Sequence, residues 1–248
     1  MSDTSDTQKN SSTAWETVSV IVQALLLALV LRSFLYQPFN IPSGSMKPTL
    51  LVGDYLFVSK FSYGYSKYSL PFSPDLFSGR FWSAEPKRGD VAVFRLPTNP
   101  NVDYIKRVIG LPGDKIQVIN GVVYINGTAV KRELAEEGYL DSDERVGSIP
   151  VYIETLPNGV SYETIDVNPV SATDNTRVFE VPPGKYFMMG DNRDNSSDSR
   201  TPAVGFVPLE NFIGRASVVF FSIKAPSHPL AIWKWPEDLR ADRVFTGL

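Results

Sequence analysis

The residues best placed to do chemistry fall in three short stretches. The first, Ile41-Pro42-Ser43-Gly44-Ser45-Met46-Lys47-Pro48-Thr49-Leu50, sets two serine hydroxyls two residues apart in a backbone restricted by two prolines. A serine hydroxyl is a weak nucleophile at neutral pH and needs a base within hydrogen-bonding reach. Taken alone, these residues also describe an ordinary Ser-Gly loop between prolines. The second stretch, Asp103 to Asp114, offers a base. With residues 104–109 as a strand, Tyr104, Lys106 and Val108 share one face and Ile105, Arg107 and Ile109 the other, so one of the two cations is expected to point inward. Arginine keeps its proton in proteins, whereas a desolvated lysine releases it, so Lys106 is the candidate base and Arg107 is not. Bringing a lysine down from its ordinary pKa of about 10.4 into a working range costs roughly 3 to 4 kcal/mol, which apolar neighbours such as Tyr104 and Val108 would impose by desolvation. A strand lysine that only discourages edge-to-edge aggregation fits the same local pattern.

The third stretch runs from Met188 to Arg200 and contains Gly190-Asp191-Asn192-Arg193-Asp194-Asn195-Ser196-Ser197-Asp198-Ser199-Arg200. Its short polar side chains and opposite charges predict a hydrogen-bonded turn network beside a buried site. Asp198 would pair with Arg200 and Asp191 with Arg193, leaving Ser196 to bond a buried lysine. A calcium loop competes with this reading, but the arginines oppose it and no glutamate closes the loop at the expected spacing. The single histidine, His228, lies in Pro226-Ser227-His228-Pro229 without an evident carboxylate partner, which argues against a Ser-His-Asp triad. The chain has no cysteine, which excludes disulfides, thiolate metal sites and a cysteine nucleophile. With one histidine, zinc would have to be held by carboxylates. No metal or cofactor is therefore expected. A formal net charge of -3 gives no basic face for a phosphate backbone, so nucleic acid is not an expected partner.

These stretches need a scaffold, and 248 residues suffice for one catalytic body with accessory segments. Residues 1–14 are polar, predicting a disordered tail. Residues 15–36, from Trp15 to Tyr36, form an apolar run long enough as a helix for a hydrocarbon core of about 30 Å. Trp15 and Tyr36 stand where interfacial aromatics belong, Glu16 and Arg32 lie near enough to the ends to snorkel, and Pro38 is expected to stop the helix. A cleavable signal peptide is opposed by the acidic leading segment and the lack of a small-x-small site after the run; a buried soluble helix is the other reading. From residue 37 to 248 the chain turns to short β-type runs at 55–58, 91–94, 104–109, 116–119, 122–125 and 216–223. Asn120-Gly121 and Asn126-Gly127 flank one of them as tight hairpin turns. The expected fold is mainly β, an antiparallel β-rich domain preceded by one N-terminal transmembrane helix. Excursions lie at about 64–87 and 131–177, the second long enough to be a subdomain.

In combination the three stretches resemble the bacterial type I signal peptidase (leader peptidase) family, and the resemblance covers the anchor and the whole body. Pro42-Ser43-Gly44-Ser45-Met46-Lys47-Pro48-Thr49-Leu50 resembles the family's nucleophile box, Arg88-Gly89-Asp90-Val91 and Tyr104-Ile105-Lys106-Arg107-Val108-Ile109-Gly110-Leu111-Pro112-Gly113-Asp114 its middle boxes, and Gly190 to Arg200 its last box. The resemblance implies Ser45 as nucleophile, Lys106 as general base, Ser43 as an oxyanion-hole hydroxyl and Ser196 as the group orienting the lysine. Asp191, Arg193, Asp198 and Arg200 would hold the site. Phe39, Ile41, Met46, Leu50, Tyr104 and Ile105 would line shallow pockets for the small residues of a signal peptide bound as an added strand. It further implies removal of signal peptides from exported preproteins by a catalytic domain on the extracytoplasmic side of the bacterial cytoplasmic membrane, with the amino terminus cytoplasmic. Several Gram-negative members carry two spans before the nucleophile, whereas this chain shows one. A related serine-lysine processing protease and a non-catalytic membrane-anchored β-domain remain as alternatives.

Overall fold

A computed structural model describes residues 5–71, 73–75, 77–139, 149–166, 168, 170–224, 230 and 232–248; His228 lies outside them. The chain opens with helix α1 (Ser5–Phe34). The helix starts within the stretch expected to be a disordered tail, because polar residues extend an already nucleated helix at little cost per residue. It ends at Phe34, two residues short of the expected boundary, and Tyr36 is the first residue of strand β1 (Tyr36–Asn40). Pro38, the expected helix stop, sits inside β1. That strand is at the edge of its sheet, where a missing N–H is tolerated.

The body is built from antiparallel strands. β1 pairs with β2 (Asp54–Ser59). β3 (Val91–Leu96) and the long β4 (Asn99–Gly110) form a hairpin with Ala92 opposite Lys106. β5 (Lys115–Ile119), β6 (Val122–Ile125) and β7 (Thr128–Ala129) follow as a meander. Its turns are the two expected Asn-Gly pairs, with φ of 50° and 75° at Asn120 and Gly121 and 53° and 83° at Asn126 and Gly127, as a type I′ hairpin requires. β8 (Lys131–Tyr139), β9 (Ile149–Thr155) and β10 (Ser161–Ile165) make a separate three-stranded sheet out of most of the second excursion. β11 (Phe179–Glu180) pairs with β5, and β12 (Lys185–Met189), β13 (Val207–Pro208) and β14 (Phe212–Ser222) complete the main sheet, ordered β1-β2-β14-β3-β4-β12-β13.

Apolar residues cover both faces of this seven-stranded sheet. Along β3, Val91 and Val93 pack with Ile41, Met46 and Leu56, while Ala92 and Phe94 pack with Val108, Tyr186 and Phe212. A sheet covered twice leaves no wet face at its centre, so both cations of β4 are buried, Lys106 at 3% exposure and Arg107 at 5%. The sequence had predicted only one of them inside. The span Trp15–Phe34 has a mean hydropathy of 2.0, long and apolar enough to cross a bilayer, and only 6% of it is buried in the fold. That exposure is incompatible with the core helix of a soluble body.

Candidate active site

Ser45 sits in a single 3₁₀ turn, Gly44–Met46, between the end of β1 and β2. The turn is held by Asn192, whose backbone amide donates to the Ser45 carbonyl at 3.2 Å and whose side-chain Nδ2 donates to the Gly44 carbonyl at 3.2 Å. Asn192 is brought there by register. β12 pairs with β4 so that Met189 faces Arg107, which carries Gly190, Asp191 and Asn192 past the two buried cations. Gly190 is the closest point of approach: a Cβ there would lie well inside van der Waals contact of the Ser196 hydroxyl and of the Ser45 carbonyl oxygen, which the Asn192 amide holds in place. Gly190→Ala is accordingly expected to cost about 1–3 kcal/mol of stability by overpacking and to lower turnover by roughly 100-fold through displacement of Ser45. Denaturant unfolding and steady-state kinetics on the same preparation check both effects.

Lys106 Nζ lies 2.6 Å from Ser45 Oγ and donates to its neighbour's carbonyl, Ile105 O, at 2.9 Å. The Tyr104 ring stands 5.3 Å from the same nitrogen. Burial is the main influence on this amine and lowers its pKa to about 8. Asp198 and Asp191 pull it back upward, and Arg200 pushes it down again. Ser43 Oγ is 3.5 Å from Ser45 Oγ, on the rim of the same cleft.

The charged residues of the third stretch pair partly as expected. Asp198 takes Arg200 Nε at 2.9 Å and Nη2 at 2.8 Å. Burial would raise the Asp198 carboxyl, but Arg200 and the Gly190 amide together hold it below the ordinary range. Asp191, however, does not pair with Arg193. It receives Arg107 Nε at 2.9 Å and Nη2 at 2.6 Å in a two-pronged contact, together with the Thr49 hydroxyl at 2.6 Å. Arg193 turns away to Glu154 of β9 at 2.5 Å. Strand register decides this, since Arg107 is opposite the residue that precedes Gly190. Ser196 is also placed differently from expectation: its hydroxyl bears on the Asp198 carboxylate and helps hold it below the ordinary range, while Lys106 Nζ donates to the Ile105 carbonyl. Asn192, Thr49 and Glu154 are thus site-building residues that sequence reasoning did not single out.

A cleft of about 530 Å³ opens on Ser45 and Lys106. Phe39, Ile41, Tyr104 and Ile105 line it, joined by Val93 and Val102. Met46 and Leu50 do not. Both are fully buried, packed with Ile41, Leu56 and Val91 in the core beneath the cleft. The walls are two strand edges. Among the described residues β1 pairs only with β2, and β12 reaches β4 only from Arg107 to Gly110, so the β4 edge from Val102 to Lys106 has no described strand on that side.

The model of the family described as "Signal peptidase, peptidase S26" matches residues 14–221. The chain belongs to the signal peptidase family. It is 43% identical over 261 residues to signal peptidase I of Rickettsia akari (strain Hartford), covering 98% of this chain and 96% of that protein. Against signal peptidase I of Rickettsia prowazekii (strain Madrid E) it is 44% identical over 241 residues, 90% of each. A crystal structure of a signal peptidase I from Enterococcus faecalis V583 matches 53% of this chain and 97% of that one at 29% identity, with a TM-score of 0.31. The chain is therefore a peptidase of the signal peptidase I type, with the mainly β fold described above.

Proposed function

We propose that this signal peptidase is a membrane-anchored serine endopeptidase in which Ser45 attacks the scissile carbonyl and Lys106 is the general base. The observation that carries the reading is the 2.6 Å contact between Lys106 Nζ and Ser45 Oγ in a pocket that desolvates the amine. With one N–H engaged by the Ile105 carbonyl, the lone pair of a neutral Lys106 faces the Ser45 hydroxyl and takes its proton as the Oγ–carbonyl bond forms. The developing oxyanion is met by the Ser45 backbone amide and the Ser43 hydroxyl. Protonated Lys106 then delivers that proton to the leaving amine, and the neutral amine formed again activates water to hydrolyse the acyl-enzyme.

The substrate lies between the open edges of β1 and β4 as an added strand, which supplies main-chain hydrogen bonds, while the apolar floor made by Phe39, Ile41 and Ile105 admits only small side chains near the cut. Helix α1 anchors the enzyme in the bacterial cytoplasmic membrane, with the catalytic body outside and residues before Trp15 on the cytoplasmic side. Because β1 begins two residues after α1 ends, the cleft is held close to the bilayer surface, where the carboxyl end of a signal peptide emerges. Incubating the purified full chain with a preprotein carrying Ala-x-Ala before the cut should yield, by mass analysis, cleavage after the second alanine. Intact preprotein after prolonged incubation, with the enzyme folded, would refute the reading.

A further inference from the structure

The β8–β10 sheet has no part in the chemistry just described, yet its inner face carries a buried charge next to the site. Glu154, on β9, is 1% exposed and Arg193 is 2% exposed. Glu154 Oε2 receives Arg193 Nη2 at 2.5 Å and the Tyr162 hydroxyl, from β10, at 2.9 Å. The face of the Tyr162 ring lies 4.1 Å from the Arg107 guanidinium, so one tyrosine touches both arginines that border Asp191. The backbones are also joined. Ile165 at the end of β10 donates its amide to the Asp191 carbonyl and accepts the Arg193 amide, each at 3.0 Å, leaving Asn192 between them aimed at the Ser45 turn. Every link from the small sheet to the nucleophile is a direct contact: Glu154 to Arg193, Arg193 to Ile165, Asn192 to Ser45.

We propose that Glu154 is a positioning residue for the peptidase reaction, acting with Tyr162 through Arg193 to hold the Asp191–Asn192 segment against the Ser45 turn. The β8–β10 sheet is then a buttress of the active site, an arrangement that rests on the serine-lysine reading above. A buried arginine that loses the carboxylate it is hydrogen-bonded to must find water. Arg193 would draw residues 191–193 outward, Asn192 would release the Ser45 carbonyl, and solvent would reach Lys106 among Asp191, Asp198 and Arg200.

The test compares the wild-type full chain with Glu154→Gln and Tyr162→Phe, the latter keeping the ring on Arg107 but deleting the hydroxyl that meets Glu154. Rates are taken per folded active site, counted with a serine-directed acylating probe. Glu154→Gln is expected to lower kcat about 10- to 100-fold with KM little changed, as small misplacement of a reacting group does. The acid limb of its pH–rate profile should move upward from about 8 as Lys106 is rehydrated. Tyr162→Phe should shift both in the same direction by less, and it carries the test if Glu154→Gln does not fold. A sheet that merely stabilises the fold would lower the unfolding midpoint while leaving kcat per site and the acid limb unmoved, and that result in a folded variant overturns the proposal. A wild-type chain that fails to cleave would overturn both this inference and the reading it rests on, whereas an active wild type with unaltered variants would overturn this inference alone.

Discussion

Replacing Lys106 by methionine is expected to abolish preprotein cleavage and, at neutral pH, to make the protein more stable. Losing either the nucleophile or the base of a serine hydrolase costs on the order of 10⁴-fold or more in kcat, because the two act as one unit. Ser45→Ala should match it, and combining the two substitutions should add little. The stability change follows from burial. Holding the amine at about 8 instead of 10.5 penalises the folded state by about 3 kcal/mol wherever the unfolded chain would carry the proton and the folded site resists it. Since the folded pKa is the lower one, this penalty is present in full below about pH 8 and fades as pH rises toward 10.5. Lys106→Met fills the same space without a charge. Its advantage should therefore be largest at neutral pH and vanish in alkaline solution. The same logic sets the sign of the activity profile, since wild-type kcat should rise with pH through about 8 as the base becomes neutral. A Lys106→Met protein that still cleaves, or that shows equal stability at neutral and alkaline pH, would contradict the assignment.

The second large effect concerns Asp191. Its carboxylate is 1% exposed and carries both prongs of Arg107 and the Thr49 hydroxyl, and burial's penalty on the Arg107 charge is more than offset by this neighbour. Asp191→Ala strands a buried guanidinium, a loss of about 3–5 kcal/mol. Removing both charges in Asp191→Leu with Arg107→Met should restore much of that stability, because the desolvation of two ions disappears with them. Activity should not return, since the link from Thr49 beside the nucleophile loop to β12 is gone in both proteins. Chemical denaturation and preprotein cleavage separate the two expectations. Recovery of activity by the double variant would show that Asp191 serves the fold alone.

The stretches that bring Ser45 and Lys106, the proposed nucleophile and base, within reach of each other were legible because each is a local pattern. Ser45 lies between prolines that fix the turn, and strand alternation around Lys106 puts a titratable amine among apolar neighbours. The Asn-Gly turns and the core strands were legible for the same reason, each being encoded within a few residues. What could not be read locally was pairing across the chain. Asp191 and Arg193 look like partners in sequence, but the β4–β12 register hands Asp191 to Arg107, and a sheet beginning some sixty residues earlier supplies Glu154 to Arg193. Met46 and Leu50 were misplaced because both join the apolar cluster with Leu56, Val58 and Val91 beneath the cleft, a long-range packing that their local sequence does not encode. The first turns of α1 were missed because polar composition opposes burial without opposing helix formation. Strand β1 was hidden by Pro38, which bars a central strand but not an edge one.

The central claim is that the amine of Lys106 gives up its proton near pH 8, well below an ordinary lysine, and stands against the Ser45 hydroxyl. Nuclear magnetic resonance titration of isotope-labelled lysine side chains in the folded protein measures it most directly. Lys60, buried at the end of β2 and pushed to about 8 by burial and by Arg32 and Arg95, should give one lowered transition, assigned by its loss in Lys60→Met. A second transition near pH 8 should disappear in Lys106→Met and move in Ser45→Ala, as expected of an amine 2.6 Å from that hydroxyl. If the Lys106 signal instead titrates near 10.5 and ignores the loss of the Ser45 hydroxyl, the dyad does not exist.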